Sequence, residues 1–178
     1  MRKNLVMTVT GNDRVGIVEE VTKLILAYDG NVDASRMSRL GGEFAMLVLV
    51  SVPSDKFKGL RQGVRDLRQL GFKVTTRETE RGYSAKYAGW VPYQVKVTGA
   101  DHEGIIHDLT RYLAQEGINI EMMDTGMVPA PMSGTPLFTM TAVVLVPPKL
   151  TFTEWRDDLE EVADKLNVDT EVTPYTGY

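Results

Sequence analysis

Leu5-Val-Met-Thr-Val-Thr-Gly-Asn-Asp-Arg-Val-Gly-Ile17 returns 88 residues later as Tyr93-Gln-Val-Lys-Val-Thr-Gly-Ala-Asp-His-Glu-Gly-Ile105. Thr10, Gly11, Asp13, Gly16 and Ile17 are matched by Thr98, Gly99, Asp101, Gly104 and Ile105. Asn31 meets Asn119 at the same spacing. After a six-residue insertion, Phe44, Met46, Val50 and Pro53 meet Phe138, Met140, Val144 and Pro147. A period this long marks a duplicated domain, because solenoid units repeat every 20–50 residues or so. Two copies of one small fold are expected, the first over residues 1–79 and the second over 91–178, joined by a linker at 80–90. Each half exceeds the size at which a single core can stand alone.

Periodicity gives the elements of each copy. Leu5 to Val9 alternates as a strand, and the Gly11–Gly16 turn leads into a helix with Ile17, Val18, Val21, Leu24, Ile25 and Tyr28 on one face. Asp29-Gly30-Asn31 ends it with residues that tolerate left-handed geometry. Val32 to Leu40, the Gly41-Gly42 turn and Phe44 to Val52 read as a hairpin. Its second strand is apolar on both faces and is expected to be central. Phe57, Leu60, Val64 and Leu67 mark a second helix, followed by a strand at Phe72 to Arg77.

The second copy repeats this order: strand 91–98, helix 104–116, strands near 118–127 and 137–146, helix 152–166 and strand 168–173. Its added residues, Met127 to Pro136, are assigned to a loop by their prolines, and Glu80 to Gly89 lacks a sustained period, as a linker does. The predicted class is α+β: two ferredoxin-like β-α-β-β-α-β units, each an antiparallel four-stranded sheet with helices on one face.

Charge divides the halves. Residues 1–88 carry 15 Lys/Arg against 10 Asp/Glu and residues 89–178 carry 5 against 14, so a net charge of −4 separates into +5 and −9. The halves are suited to attract each other or a partner chain, which admits a homo-oligomer. The absence of cysteine excludes a disulfide framework and thiolate metal sites. No apolar run follows Arg2 and Lys3 as in a signal peptide, and the most apolar segment, Phe44 to Val50, is far short of the ~20 residues of a membrane span. A soluble, cytoplasmic protein without membrane contact is expected.

A strand ending in Gly, then Asp-x-x-Gly-Ile opening a helix, then Gly-Asn-Val or Gly-Ile-Asn-Ile at the next strand, resembles the ACT domain, a small ligand-binding regulatory module. Both copies carry it. The stretch Gly30 to Phe44, the tandem arrangement and the long second hairpin resemble the glycine cleavage system transcriptional repressor family.

The resemblance implies a small effector, most simply an amino acid, bound where two such domains pair edge to edge, and a protein partner that receives the signal. It implies ligand-binding roles for Asn12, Asp13, Arg14, Val15, Gly16 and Asn31, and for Ala100, Asp101, His102, Glu103, Gly104 and Asn119. A helix N-terminus suits a carboxylate, while Asp or Asn oxygens accept from an ammonium. The structural alternative is that Asp13 and Asp101 cap their helices and that Gly16 and Gly104 permit close helix–sheet packing. His102 and Glu103 stand where the first copy has Arg14 and Val15, so the two sites are not equivalent.

Catalysis has little support in the chain. His102 and His107 are five apart, while Glu103 and His107 share a helical face without an evident third ligand or orienting group. No G-x-S-x-G, H-E-x-x-H, P-loop or G-x-G-x-x-G motif occurs, so neither a catalytic residue, a metal nor a cofactor is expected. A small enzyme using His102, Glu103 and His107, or a purely structural oligomerisation module, are the competing readings. Lys58, Arg61, Arg65 and Arg68 give the second helix a basic face, and Glu154, Asp157, Asp158, Glu160, Glu161 and Asp164 give its counterpart an acidic one. No element suited to reading base edges is present, so sequence-specific DNA binding by this chain alone is not expected.

Overall fold

The computed structural model describes residues 1–80, 86–130 and 133–177. The chain forms two compact units, Met1–Tyr83 and Ser84–Tyr178. The first runs β1 (Arg2–Asn12), α1 (Ile17–Ala27), β2 (Asn31–Leu40), β3 (Glu43–Pro53), α2 (Phe57–Gln69) and β4 (Lys73–Thr79). The second runs β5 (Val91–Ala100), α3 (Ile105–Gln115), β6 (Asn119–Pro129), β7 (Pro136–Val146), α4 (Phe152–Lys165) and β8 (Val168–Pro174). Each is the expected β-α-β-β-α-β unit. The antiparallel sheets have strand orders β2-β3-β1-β4 and β6-β7-β5-β8, so β3 and β7 are interior.

Alternation places Leu5, Met7 and Val9 of β1 and Phe44, Met46, Val48, Val50 and Val52 of β3 on the face that the helices cover. Ile17, Val21 and Ile25 of α1 and Phe57, Leu60, Val64 and Leu67 of α2 complete that core. Val18, expected on the buried face of α1, is 39% exposed. In the second unit Trp155 and Leu159 of α4 lie against Val95, Val97, Met140 and Val144. Helix α1 ends as its residues foretell: Asp29 takes φ 53°, and the Gly30 N–H donates to the Ile25 carbonyl at 3.0 Å.

The segment Met127 to Pro136 differs from its loop assignment. Strand β6 continues to Pro129 and β7 begins at Pro136. The two prolines face each other at the end of the ladder, where strand termini accept proline, and the Ala130 N–H closes the hairpin onto the Thr135 carbonyl at 2.8 Å. Of the expected linker, residues 81–85 lie outside the described residues. Beyond them, Tyr87 packs edge-on to Trp90, with ring centroids 5.0 Å apart, and its hydroxyl donates to Asn119 Oδ1. Among the described residues no helix is long and apolar enough to cross a membrane.

Candidate functional site

Strand β1 carries the chain to Asn12, which pairs with Glu43, and the Asp13 N–H donates to the Gly42 carbonyl at 2.9 Å. The turn then passes through exposed Arg14 and Val15 to Gly16, which caps α1 at φ 96°. Gly104 repeats this conformation ahead of α3 at φ 101°. Neither helix has a side-chain cap hydrogen bond. The capping alternative for Asp13 and Asp101 is therefore incorrect: a left-handed glycine occupies the cap position, three residues beyond each aspartate. Asp13 instead lies 3.8 Å from Arg39 Nε.

The packing alternative for Gly16 and Gly104 also fails. A Cβ on Gly16 would meet nothing within 4 Å, and one on Gly104 only Asp108 Oδ2 at 3.9 Å, so the positive φ is what demands glycine. The close approaches belong to Gly11 and Gly99, where a Cβ would stand 2.8 Å from Phe72 Cδ1 and 2.7 Å from Val168 Cγ1.

Arg14 turns away from the helix end. Its guanidinium forks onto Glu20 at 2.8 and 2.6 Å and lies 5.1 Å from the Phe72 ring centroid. The hydrogen bonds hold the Glu20 carboxyl below its ordinary range and raise Arg14.

In the second unit, His102 takes the corresponding place. Its Nε2 is 2.7 Å from the carbonyl of Leu166, at the C-terminal cap of α4, and its Nδ1 is 3.0 Å from the Glu103 carbonyl. These two acceptors, Leu166 first, raise the His102 pKa, because both carbonyls favour the imidazolium that donates to them. His102 thereby caps a helix C-terminus, a favourable place for a cation. A shallow concavity beside it is lined by Asp101, His102, Glu103, His107, Thr110 and Phe138. With both its nitrogens held by carbonyls, His102 is poorly placed to ligate a metal or shuttle a proton with Glu103 and His107. Among the described residues no cluster of three His, Asp or Glu could hold a metal ion.

The asparagines stand apart from these turns. Asn31 pairs with Ser51, which pairs with Asn4 at the start of β1, whereas Asn12 is eight residues further along that strand, about 26 Å away. Asn119 likewise pairs with Leu145, which pairs with Pro92, at the end of its sheet opposite Ala100. Within one copy the turn and the asparagine do not share a pocket. Asn31 Nδ2 donates to Asp33 Oδ1 at 2.8 Å, and the same oxygen accepts from Ser51 Oγ at 3.0 Å. Asp33 sits at a β-bulge, and Arg2 Nη2 donates to the Ser51 carbonyl at 2.7 Å. Sequence reasoning missed this network. Its one signal was Ser51, a lone polar residue in the apolar run from Val48 to Val52 and 2% exposed.

An ACT-domain family model matches residues 3–76. A UPF0237 protein from Methanococcus maripaludis is 32% identical over 78 residues, covering 42% of this chain and 87% of that protein. A UPF0237 protein from Methanosarcina mazei is 35% identical over 52 residues, 29% of this chain, which spans about half the length, 56%, of that relative. Among solved structures, a protein of unknown function from Galdieria sulphuraria is 33% identical and superposes with a TM-score of 0.85, covering 99% of this chain and 100% of that one. A candidate glycine cleavage system transcriptional repressor is 20% identical with a TM-score of 0.70, covering 99% of each chain, and is similar in fold. Residues 3–76 thus match the ACT-domain family, and the chain folds as two ACT-type units in tandem.

Proposed function

We propose that this chain is a non-catalytic cytoplasmic regulator that binds a small effector, most simply an amino acid, at paired ACT-type units and passes the signal to a protein partner. The observation that carries this reading is the pair of uncapped helix ends. Helices α1 and α3 both open on an exposed left-handed glycine with no side-chain cap. Backbone N–H groups and the positive end of the helix dipole are thus left for a carboxylate, with Asp13 or Asp101 nearby for an ammonium. The fold shared with a candidate glycine cleavage system repressor suggests control of transcription in amino-acid metabolism as the setting.

A thermal-shift screen against the twenty amino acids and common nucleotides tests the proposal. A ligand present at one hundred times its Kd adds about 2.7 kcal/mol of stability. Asp13→Ala and Asp101→Ala are expected to weaken binding in calorimetry while leaving the melting temperature of the free protein nearly unchanged. If no compound shifts the melting temperature, the structural oligomerisation reading takes its place, and turnover of a bound compound would instead favour the enzyme.

A further inference from the structure

Three strands of the first unit bring polar side chains to one end of its sheet, on the face that the helices leave open. Val9 of β1, Phe44 of β3 and Val74 of β4 are buried toward the helices, so their neighbours Thr10, Glu43 and Lys73 point away, as does Asn12. The ladder sets Thr10 opposite Lys73 and Asn12 opposite Glu43. Together with Gly11 and Gly71 these residues line a concavity of about 270 Å³. Asn12, Glu43 and Lys73 are exposed and Thr10 is half-buried. Among the described residues, none of these four side chains makes a hydrogen bond or an ion pair.

The second unit serves as an internal comparison. There the same ladder positions set Thr98 opposite Asp169 and Ala100 opposite Leu137. What the fold requires is kept: Thr98 repeats Thr10, Gly99 repeats the close approach of Gly11, and Asn167 takes the left-handed place of Gly71, at φ 51° against 94°. Asn12, Glu43 and Lys73 give way to alanine, leucine and aspartate, although the strands pair in the same register. These three polar side chains are therefore not needed to build this end of a sheet. Water satisfies each of them singly. Their distinction is that a cation, an anion and an amide ring one concavity, in one copy only.

Lys73 and Glu43 lie on the strands either side of β1 and are offset by two residues, about 12 Å apart between Cα atoms. Thr10 and Asn12, both short, stand between them, so the two charges flank the concavity and do not close it. We propose that this concavity binds a small zwitterion whose opposite charges are separated by a short chain, of the γ-aminobutyrate kind. Its carboxylate meets the Lys73 ammonium, its ammonium meets the Glu43 carboxylate, and Thr10 and Asn12 hydrogen-bond to the charged groups from below. An α-amino acid, with its charges on neighbouring carbons, bridges that span less well. The site uses neither the N-terminus of α1 nor Asp13, so it is independent of the effector proposed there.

Amide chemical shifts of the full isotope-labelled chain, titrated with γ-aminobutyrate at neutral pH, test the proposal. Saturable shifts should appear at Thr10, Gly11, Asn12, Glu43, Gly71 and Lys73 and be absent at Thr98, Ala100, Leu137 and Asp169. Butyrate, butylamine and glycine should each bind at least about tenfold more weakly, because each forfeits a charge-assisted contact. Lys73→Met and Glu43→Gln should each weaken γ-aminobutyrate to the same extent, with the rest of the spectrum unchanged to show that the fold is intact. Asp13→Ala should leave its binding unaltered. No saturable shift at these amides, equal affinity for butyrate or glycine, or unchanged affinity in either variant would each overturn the proposal. Shifts confined to the amides after Gly16 and Gly104 would likewise overturn it, while supporting the effector reading of the helix ends.

Discussion

Tyr28 lies against Gly63: a Cβ on that glycine would stand 2.8 Å from the Tyr28 hydroxyl, 2.9 Å from Cε2 and 3.0 Å from Leu24 Cδ1. Gly59, one turn earlier, is equally close to Tyr28 Cε1 at 2.8 Å. The two glycines that weaken α2 as an isolated helix thus let the end of α1 approach it. Gly63→Ala gains about 1 kcal/mol of helix propensity but forces a buried overlap that typically costs 1–3 kcal/mol, roughly, and the net expectation is destabilisation. In a Tyr28→Ala background the overlap with the ring is gone, and the same substitution should be neutral or stabilising. Urea unfolding of the four proteins measures the coupling, and an equal effect of Gly63→Ala in both backgrounds would sink this account.

The two residues in the turn before α1 should behave oppositely. Gly16 holds φ 96° in open space, so Gly16→Ala should cost about 1–2 kcal/mol for left-handed backbone alone. Asp13 forms no cap and only a long contact to Arg39, so Asp13→Ala should change stability by no more than about 0.5 kcal/mol, against about 1 kcal/mol for a true cap. Thermal unfolding of both variants decides it. A large loss in Asp13→Ala would restore the capping role.

That contrast marks where the sequence was legible. The repeat from Leu5 to Ile17, and alternation such as Leu5, Met7 and Val9, report the path and buried face of each element, because burial acts on many residues with one period. The cap did not follow from residue type. Asp-x-x-Gly suits either an aspartate cap or a left-handed glycine, and only the backbone angle separates them. The prolines after Met127 misled for a related reason: proline ends a strand only where a partner would need its N–H, and Pro129 and Pro136 meet at the end of the ladder, where the strands close. The separation of Asn31 from Asn12 is a property of register, invisible to spacing along the chain.

His102 gives the stability a pH dependence. Its folded-state pKa is raised by the Leu166 and Glu103 carbonyls, so its contribution is fully present below the unfolded value near 6.5 and is lost as pH rises through the folded value. The stability difference between wild type and His102→Gln should therefore be larger at about pH 5.5 than at about pH 8.5. Urea midpoints for both proteins at the two pH values test this, and a difference independent of pH would show that His102 is no cationic cap of α4.

The purified chain is expected not to select a DNA sequence. The basic face of α2 is thinner than its four cations suggest, because the Arg68 guanidinium donates twice to the Val74 carbonyl, at 3.2 and 2.7 Å, and Arg61 lies 6.0 Å from the Phe57 ring centroid. Lys58 and Arg65 remain as exposed cations on that face. The second half of the chain carries −9 and repels a polyanion. A few phosphate contacts give weak, salt-sensitive attachment, whereas sequence preference requires side chains presented to base edges. Regulation of transcription would then pass through a DNA-binding partner. In gel-shift titrations at near-physiological salt, the chain alone should not distinguish a candidate operator from a scrambled control, and Lys58→Glu with Arg65→Glu should remove any residual shift at low salt. A clear preference for the operator by the chain alone would overturn this expectation and place recognition on this protein.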